Sequence, residues 1–161
     1  MSSTRDTVGG RNIATKEEKK AVELFSHWML VFTKNERVIT EGAQGPQKKF
    51  HWFWWVFPTT LAGRSDKFKV RFLKEEMKAV LKLRVQPQWE PFLDKWSQIA
   101  KKIIDGRLKL PIEADRRRLN FFKKEWSEAL KEVPKDGSNR VRRYFAEVLN
   151  FKPKSAHQKK Y

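Results

Sequence analysis

The residues of this chain that could do chemistry are a histidine set in a run of aromatic rings and two clusters of arginine and lysine. The run reads Phe50-His51-Trp52-Phe53-Trp54-Trp55-Val56-Phe57-Pro58, with Lys48 and Lys49 before it. One chemistry that suits it is a stacking platform for nucleic acid. Lys48 and Lys49 would attract phosphate while Trp52, Trp54 or Trp55 stacks on bases, at roughly 1 to 3 kcal/mol per base. His51 suits a second chemistry. Inside an apolar wall its imidazole is pushed toward the neutral form, so a pocket beside His51, Trp52 and Trp54, with Arg64 or Lys67 holding a phosphate, would describe a small enzyme or nucleotide-ligand binder. Against both stands a plainer role. Rings at odd and even positions alike mark an element surrounded by other elements, and large apolar residues are mostly interior.

The second group is basic. Arg116, Arg117 and Arg118 fall at a predicted helix start, Lys123 and Lys124 follow one to two turns on, and Arg140, Arg142 and Arg143 lie on the next predicted helix. If those helices pack side by side, the eight cations form one patch. Cations at a helix N-terminus oppose the macrodipole, which marks Arg116 to Arg118 as held for an anionic partner. Lys152, Lys154, Lys159 and Lys160 would extend the charge as a flexible arm. Overall 36 Lys and Arg face 19 Asp and Glu, a formal +17. Such an excess favours polyanions, whether nucleic acid, an anionic membrane or an acidic protein partner.

Other chemistries have no residues to carry them. Without cysteine there are no disulfides, thiolate metal sites or cysteine nucleophiles. The histidines, His27, His51 and His157, are scattered and no metal set is visible. Gly9-Gly10-Arg11 and the Gly42 to Gly45 stretch lack the strand-to-helix spacing of a phosphate loop. No cofactor is expected. The first residues lack the apolar stretch of a secretory signal, and no run approaches a membrane span. The chain reads as soluble and intracellular, whether cytoplasmic, nuclear or packaged in a particle.

The elements that must position these residues are helical. Thr15 and Glu18 have capping-box spacing, and Val22, Leu24, Phe25, Trp28, Met29 and Phe32 recur on one broad face. Residues 33–47, with two glycines and a proline, read as a loop. Residues 50–57 show no period and fit either a doubly buried strand or a helical turn. Ser65 or Asp66 is the expected cap of a third element running to about Leu83, with Phe68, Phe72, Met77, Val80 and Leu81 inward. Trp89, Phe92, Leu93, Trp96, Ile99, Ala100, Ile103 and Ile104 give the clearest helical period, closed by Gly106. Asp115 is the expected cap of a helix carrying Leu119, Phe122, Trp126, Leu130 and Val133, and a last helix runs from Ser138 to about Asn150. The predicted architecture is mainly α: a flexible polar leader at 1–14, one compact domain of five to six helices at 15–151 around the aromatic segment, and a basic tail at 152–161.

The aromatic segment also resembles a known family. His51-Trp52-Phe53-Trp54-Trp55-Val56-Phe57-Pro58, followed by Leu61, Gly63 and Ser65, is similar to the signature of an uncharacterised, mainly bacterial helical family, domain of unknown function 1810. Its members carry Ser-His-Trp-Met-Trp-Phe-x-Phe-Pro-Gln and then a Leu- and Gly-bearing turn. The likeness covers about residues 48–93, where Lys74-Glu75-Glu76-Met77 and Trp89 to Leu93 follow the layout of the family's next helices. Phe50 stands where the family has Ser, and Thr59 where it has Gln. The resemblance implies a mostly helical fold and leaves function open.

Charge and the missing catalytic set together predict a non-enzymatic basic protein. It would contact nucleic acid, or an acidic component of a nucleoprotein or virion-like assembly, through its Arg and Lys surface.

Overall fold

A computed structural model of the chain describes residues 15–61 and 70–151. Among them are seven α-helices and no strand longer than an isolated bridge. They are α1 (Lys16–Lys34), α2 (Glu36–Gly42), α3 (Phe53–Val56), α4 (Lys74–Leu81), α5 (Glu90–Ile104), α6 (Glu113–Glu132) and α7 (Val141–Val148). A 3-10 turn, Pro87–Trp89, leads into α5. The leader, the basic tail, Gly63, the expected caps Ser65 and Asp66, and Phe68 lie outside the described residues.

Helix α1 starts where the sequence places it. The Thr15 hydroxyl accepts the Glu18 N–H at 3.0 Å, and the Glu18 carboxylate accepts the Thr15 N–H at 3.3 Å. Helix α5 ends in a Schellman turn. Gly106, at φ +76°, lets its own N–H reach the Ile103 carbonyl and the Arg107 N–H reach Lys102. Asn150, at φ 51°, closes α7 in the same way.

Three expectations are corrected. The stretch read as a loop contains α2, which brings the helix count to seven. Ile39 is the helix's buried apolar anchor, Arg37 pairs with Glu41 at 3.1 Å, and the Lys102 ammonium donates to the carbonyl of Ala43 at 2.5 Å just past its end. Its sequence carries too few apolar residues to show a period. Gly42 is required there by close approach, because a methyl group would run into the Trp52 indole and the Lys49 carbonyl. Second, α4 begins at Lys74. Before it, buried Val70 and Phe72 flank exposed Arg71 as extended chain, and the Phe72 N–H donates to Thr59 at 3.1 Å. Third, Asp115 does not cap α6. The N-cap is Ile112, and Asp115 lies within the first turn of the helix.

Residues from all seven helices share one apolar core. Short α4 is packed by α1, α6 and α7, and α3 lies between α1 and α5. The face buried from α5 is the one its period marks: Phe92, Leu93, Trp96, Ile99, Ala100 and Ile103. Trp28, Trp96, Trp126 and Phe145 meet at ring distances of 4.1 to 5.9 Å, and each fully buried side chain of this size contributes about 1.5–3 kcal/mol.

The aromatic segment is a helical turn in the middle of this core. Four residues make a helix that is nearly all ends, and its last carbonyls have no partner within it. Pro58 stops it, with Phe57 extended at φ −121°, ψ 73°. These carbonyls lie in or beside the core, and the surrounding helices supply donors to them. The indole N–H of Trp28 on α1 donates to Trp55 at 2.7 Å, that of Trp96 on α5 to Val56 at 2.7 Å, and that of Trp126 on α6 to Pro58 at 2.8 Å. Arg118 takes the Phe57 carbonyl at 3.2 Å. The buried Glu125 carboxylate accepts the Thr60 N–H at 3.0 Å and its hydroxyl at 2.7 Å. The tryptophans thus join three helices to one hub by polar bonds as well as by packing.

Candidate polyanion-binding site

Helices α6 and α7 do pack against each other, from the middle of α6 onward, where Phe122 and Trp126 meet Phe145 and Arg142 reaches Val133. From Arg116 to the end of α6 the helix rises about 25 Å. The expected single patch is therefore two separate basic regions, one at each end of α6.

At the N-terminal end several predicted contacts serve the fold. Lys48 is buried. Its ammonium lies 2.9 Å from the Asp115 carboxylate, donates to the Phe50 carbonyl at 2.6 Å, and sits over the rings of Trp52 and Phe53. The expectation that Lys48 meets phosphate is overturned by that burial. Arg116 donates to Leu110 at 2.5 Å, and Arg118 to Leu61 at 2.8 Å besides Phe57. The macrodipole argument is corrected accordingly for Arg116 and Arg118, because these guanidinium groups donate to carbonyls of neighbouring chain. The side chains of Lys49, Lys109, Arg117 and Lys124 are exposed, and Lys123 is half-buried. Among the described residues those five have no hydrogen-bond or ion-pair partner.

At the other end is a cleft of about 780 Å³ that brings Arg140, Arg142 and Arg143 together with Lys101 and Lys135. Asp136 and Glu147 are the acids on its wall, so five cations outnumber two carboxylates. Local bonds set the geometry. Residues 83–85 run against 139–141, with Val85 N–H on Asn139 at 2.8 Å and Val141 N–H on Leu83 at 2.9 Å. The Asp136 carboxylate accepts the Ser138 N–H at 2.9 Å and Arg140 Nε at 2.7 Å, and Arg140 also donates to the Lys82 carbonyl. Arg142 is buried at its base. Its Nε donates to Val133 at 2.7 Å, closing the C-terminal end of α6 where a cation suits the dipole, and Phe151 lies 5.8 Å from its guanidinium. Arg143 forks onto Asn139 Oδ1 and covers the Tyr144 ring at 4.6 Å.

Titration follows these contacts. The Ser138 N–H bond, and after it Arg140, holds the Asp136 carboxyl below its ordinary value. Burial lowers Arg142, although a guanidinium stays charged at any physiological pH, and raises Tyr144.

The aromatic pocket residues are scattered by contrast. His51 is exposed, Trp52 is completely buried with its indole N–H on the Lys49 carbonyl at 2.5 Å, and Trp54 is half-buried. The Trp54 indole nitrogen is buried without a partner. Trp52 has no face left for stacking. None of three clefts lined wholly by described residues includes His51, Trp52 or Trp54, and Arg64 and Lys67 lie outside those residues.

Sequence reasoning missed Lys101 and Lys135 as partners of the arginines. Lys101 registers in the sequence only as a helix-ending cation, and Lys135 only as the start of a turn. No spacing rule joins the end of α5 to the start of α7. Among the described residues no three His, Asp or Glu side chains are grouped to hold a metal ion, and no helix is long and apolar enough to cross a membrane. No protein-family model, curated protein or solved structure matches this chain.

Proposed function

We propose that this chain is a basic binding protein whose partner is a polyanion, most simply nucleic acid, held in part by the α5–α7 cleft. The observation that carries the reading is that cleft, where cations from three segments of chain converge at the same surface. Arg140 and Arg143 are held by Asp136 and Asn139, which fixes their direction while leaving further N–H donors on each guanidinium. Lys135 is exposed with no partner among the described residues. Such a surface reads charge rather than bases, so binding is steeply salt-dependent and weakly selective for sequence.

Titration of the intact chain against DNA and RNA oligonucleotides across a salt series tests this. Lys135→Ala and Arg143→Ala should each reduce the slope of log affinity against log salt by about 1, without selectivity for sequence. No binding at low salt ends the proposal.

A further inference from the structure

Phe50 is an exposed aromatic residue held in a backbone conformation that disfavours it. Its φ is 67°, in the left-handed region where glycine and asparagine are at ease and a bulky side chain is an outlier. The conformation has a structural task, since it turns the Phe50 carbonyl onto the buried Lys48 ammonium at 2.6 Å. The ring has none. It is 54% exposed and pairs with no other ring among the described residues. Glycine would serve the turn better, so the fold alone does not account for phenylalanine.

The surroundings indicate what the ring meets. The Lys48 N–H donates to Lys109 at 2.8 Å, and the same lysine's ammonium contacts Asp115 in the first turn of α6. Arg116 reaches back to Leu110, the neighbour of Lys109. These bonds hold the chain at Lys109 and Arg116 against the segment that carries Lys49 and Phe50; all four residues are exposed, and the side chains of Lys49 and Lys109 have no partner among the described residues. A displayed ring among cations matches unpaired bases on a phosphate backbone, because stacking requires a base face that a duplex hides. A bilayer would need more apolar area than one ring supplies.

We infer that Lys49, Phe50, Lys109 and Arg116 form a contact site for single-stranded nucleic acid, with Phe50 stacking on a base. This rests on the polyanion reading for the class of ligand, but it uses the opposite end of α6 from the cleft. The test compares Phe50→Gly and Phe50→Tyr with the unmodified chain, against a single strand of about 16 nucleotides and its duplex at low salt. Phe50→Gly should weaken single-strand binding by about tenfold, leave duplex binding unchanged, and leave the thermal midpoint equal or higher. Phe50→Tyr keeps the ring and should keep single-strand affinity. Equal affinity of all three chains for the single strand, or an equal loss on both ligands, overturns the stacking site while leaving the cleft's salt dependence standing. Loss of binding to phosphatidylserine vesicles with single-strand affinity unchanged reassigns the corner to a membrane and overturns it too. If the unmodified chain binds neither oligonucleotide, both readings fail.

Discussion

Lys48 and Lys49, and likewise Trp52 and Phe50, are near neighbours of the same chemical type with opposite fates. Lys48 is sealed against Asp115 and Trp52 is wholly buried, whereas Lys49 and Phe50 are exposed. The difference does not come from hydrophobicity, which the rings share. It comes from where backbone groups find partners. Residues 52–60 can be interior because Trp28, Trp96, Trp126, Arg118 and Glu125 supply their missing hydrogen bonds. At the corner the Phe50 carbonyl is answered by Lys48 and the Lys49 carbonyl by Trp52, and the side chains of Lys49 and Phe50 are left outside. Cations divide by the same rule. Lys48, Arg118 and Arg142 are committed to carbonyl or carboxylate groups of the fold, Arg116 and Arg140 are anchored in that way but keep further donors, and Lys49, Lys109 and Lys135 face outward.

The sharpest way to break this division is to remove Asp115. Asp115→Ala leaves Lys48 buried and uncompensated and should lower stability by about 3–5 kcal/mol, read from urea unfolding. Replacing both partners, with Lys48→Met added to Asp115→Leu, should recover most of that loss. If the single variant behaves like an exposed charge change, Lys48 belongs with Lys49.

A smaller effect separates packing from polar tethering in the hub. Trp126→Phe leaves the Pro58 carbonyl buried without a donor and should cost about 1–3 kcal/mol beyond the change in ring size. Trp89→Phe is the matched control, since the indole N–H of Trp89 has no acceptor among the described residues. Equal losses at the two positions would mean that the indole bonds add nothing.

The smallest effect is a pH dependence at the cleft. The folded state holds the Asp136 carboxyl below its ordinary value of 3.8, so it prefers the ionised form. The resulting stability is complete above that value and disappears as the pH falls through the lowered one. Asp136→Asn should therefore flatten the acid limb of the thermal midpoint by lowering the midpoint at neutral pH, with little change below the lowered value. An unchanged acid limb would show that the Ser138 and Arg140 bonds do not hold the loop.

Much of the scaffold was legible because it rests on local rules. The capping box at Thr15, the period of α5 and the left-handed Gly106 each involve residues within one or two turns of one another. Helix α2 was hidden because Ile39 is too little to make a period. The cleft was half legible. Arg140, Arg142 and Arg143 are adjacent in sequence, but Lys101 joins them only through the packing of α5 on α7. Lys48 and Arg118 were not legible, because a charge run looks alike whether its donors meet solvent or a neighbour's carbonyl.

By itself, the sequence determined a helical, cysteine-free, strongly basic chain whose aromatic segment belongs near the core. Composition and short-range periodicity are enough for that. Only the tertiary structure decided which cations are committed to carbonyls and which face outward. It also decided that Trp52 is interior while Phe50 is displayed. Those outcomes depend on donors arriving from helices distant in sequence, and on a backbone angle at Phe50 that no residue type announces.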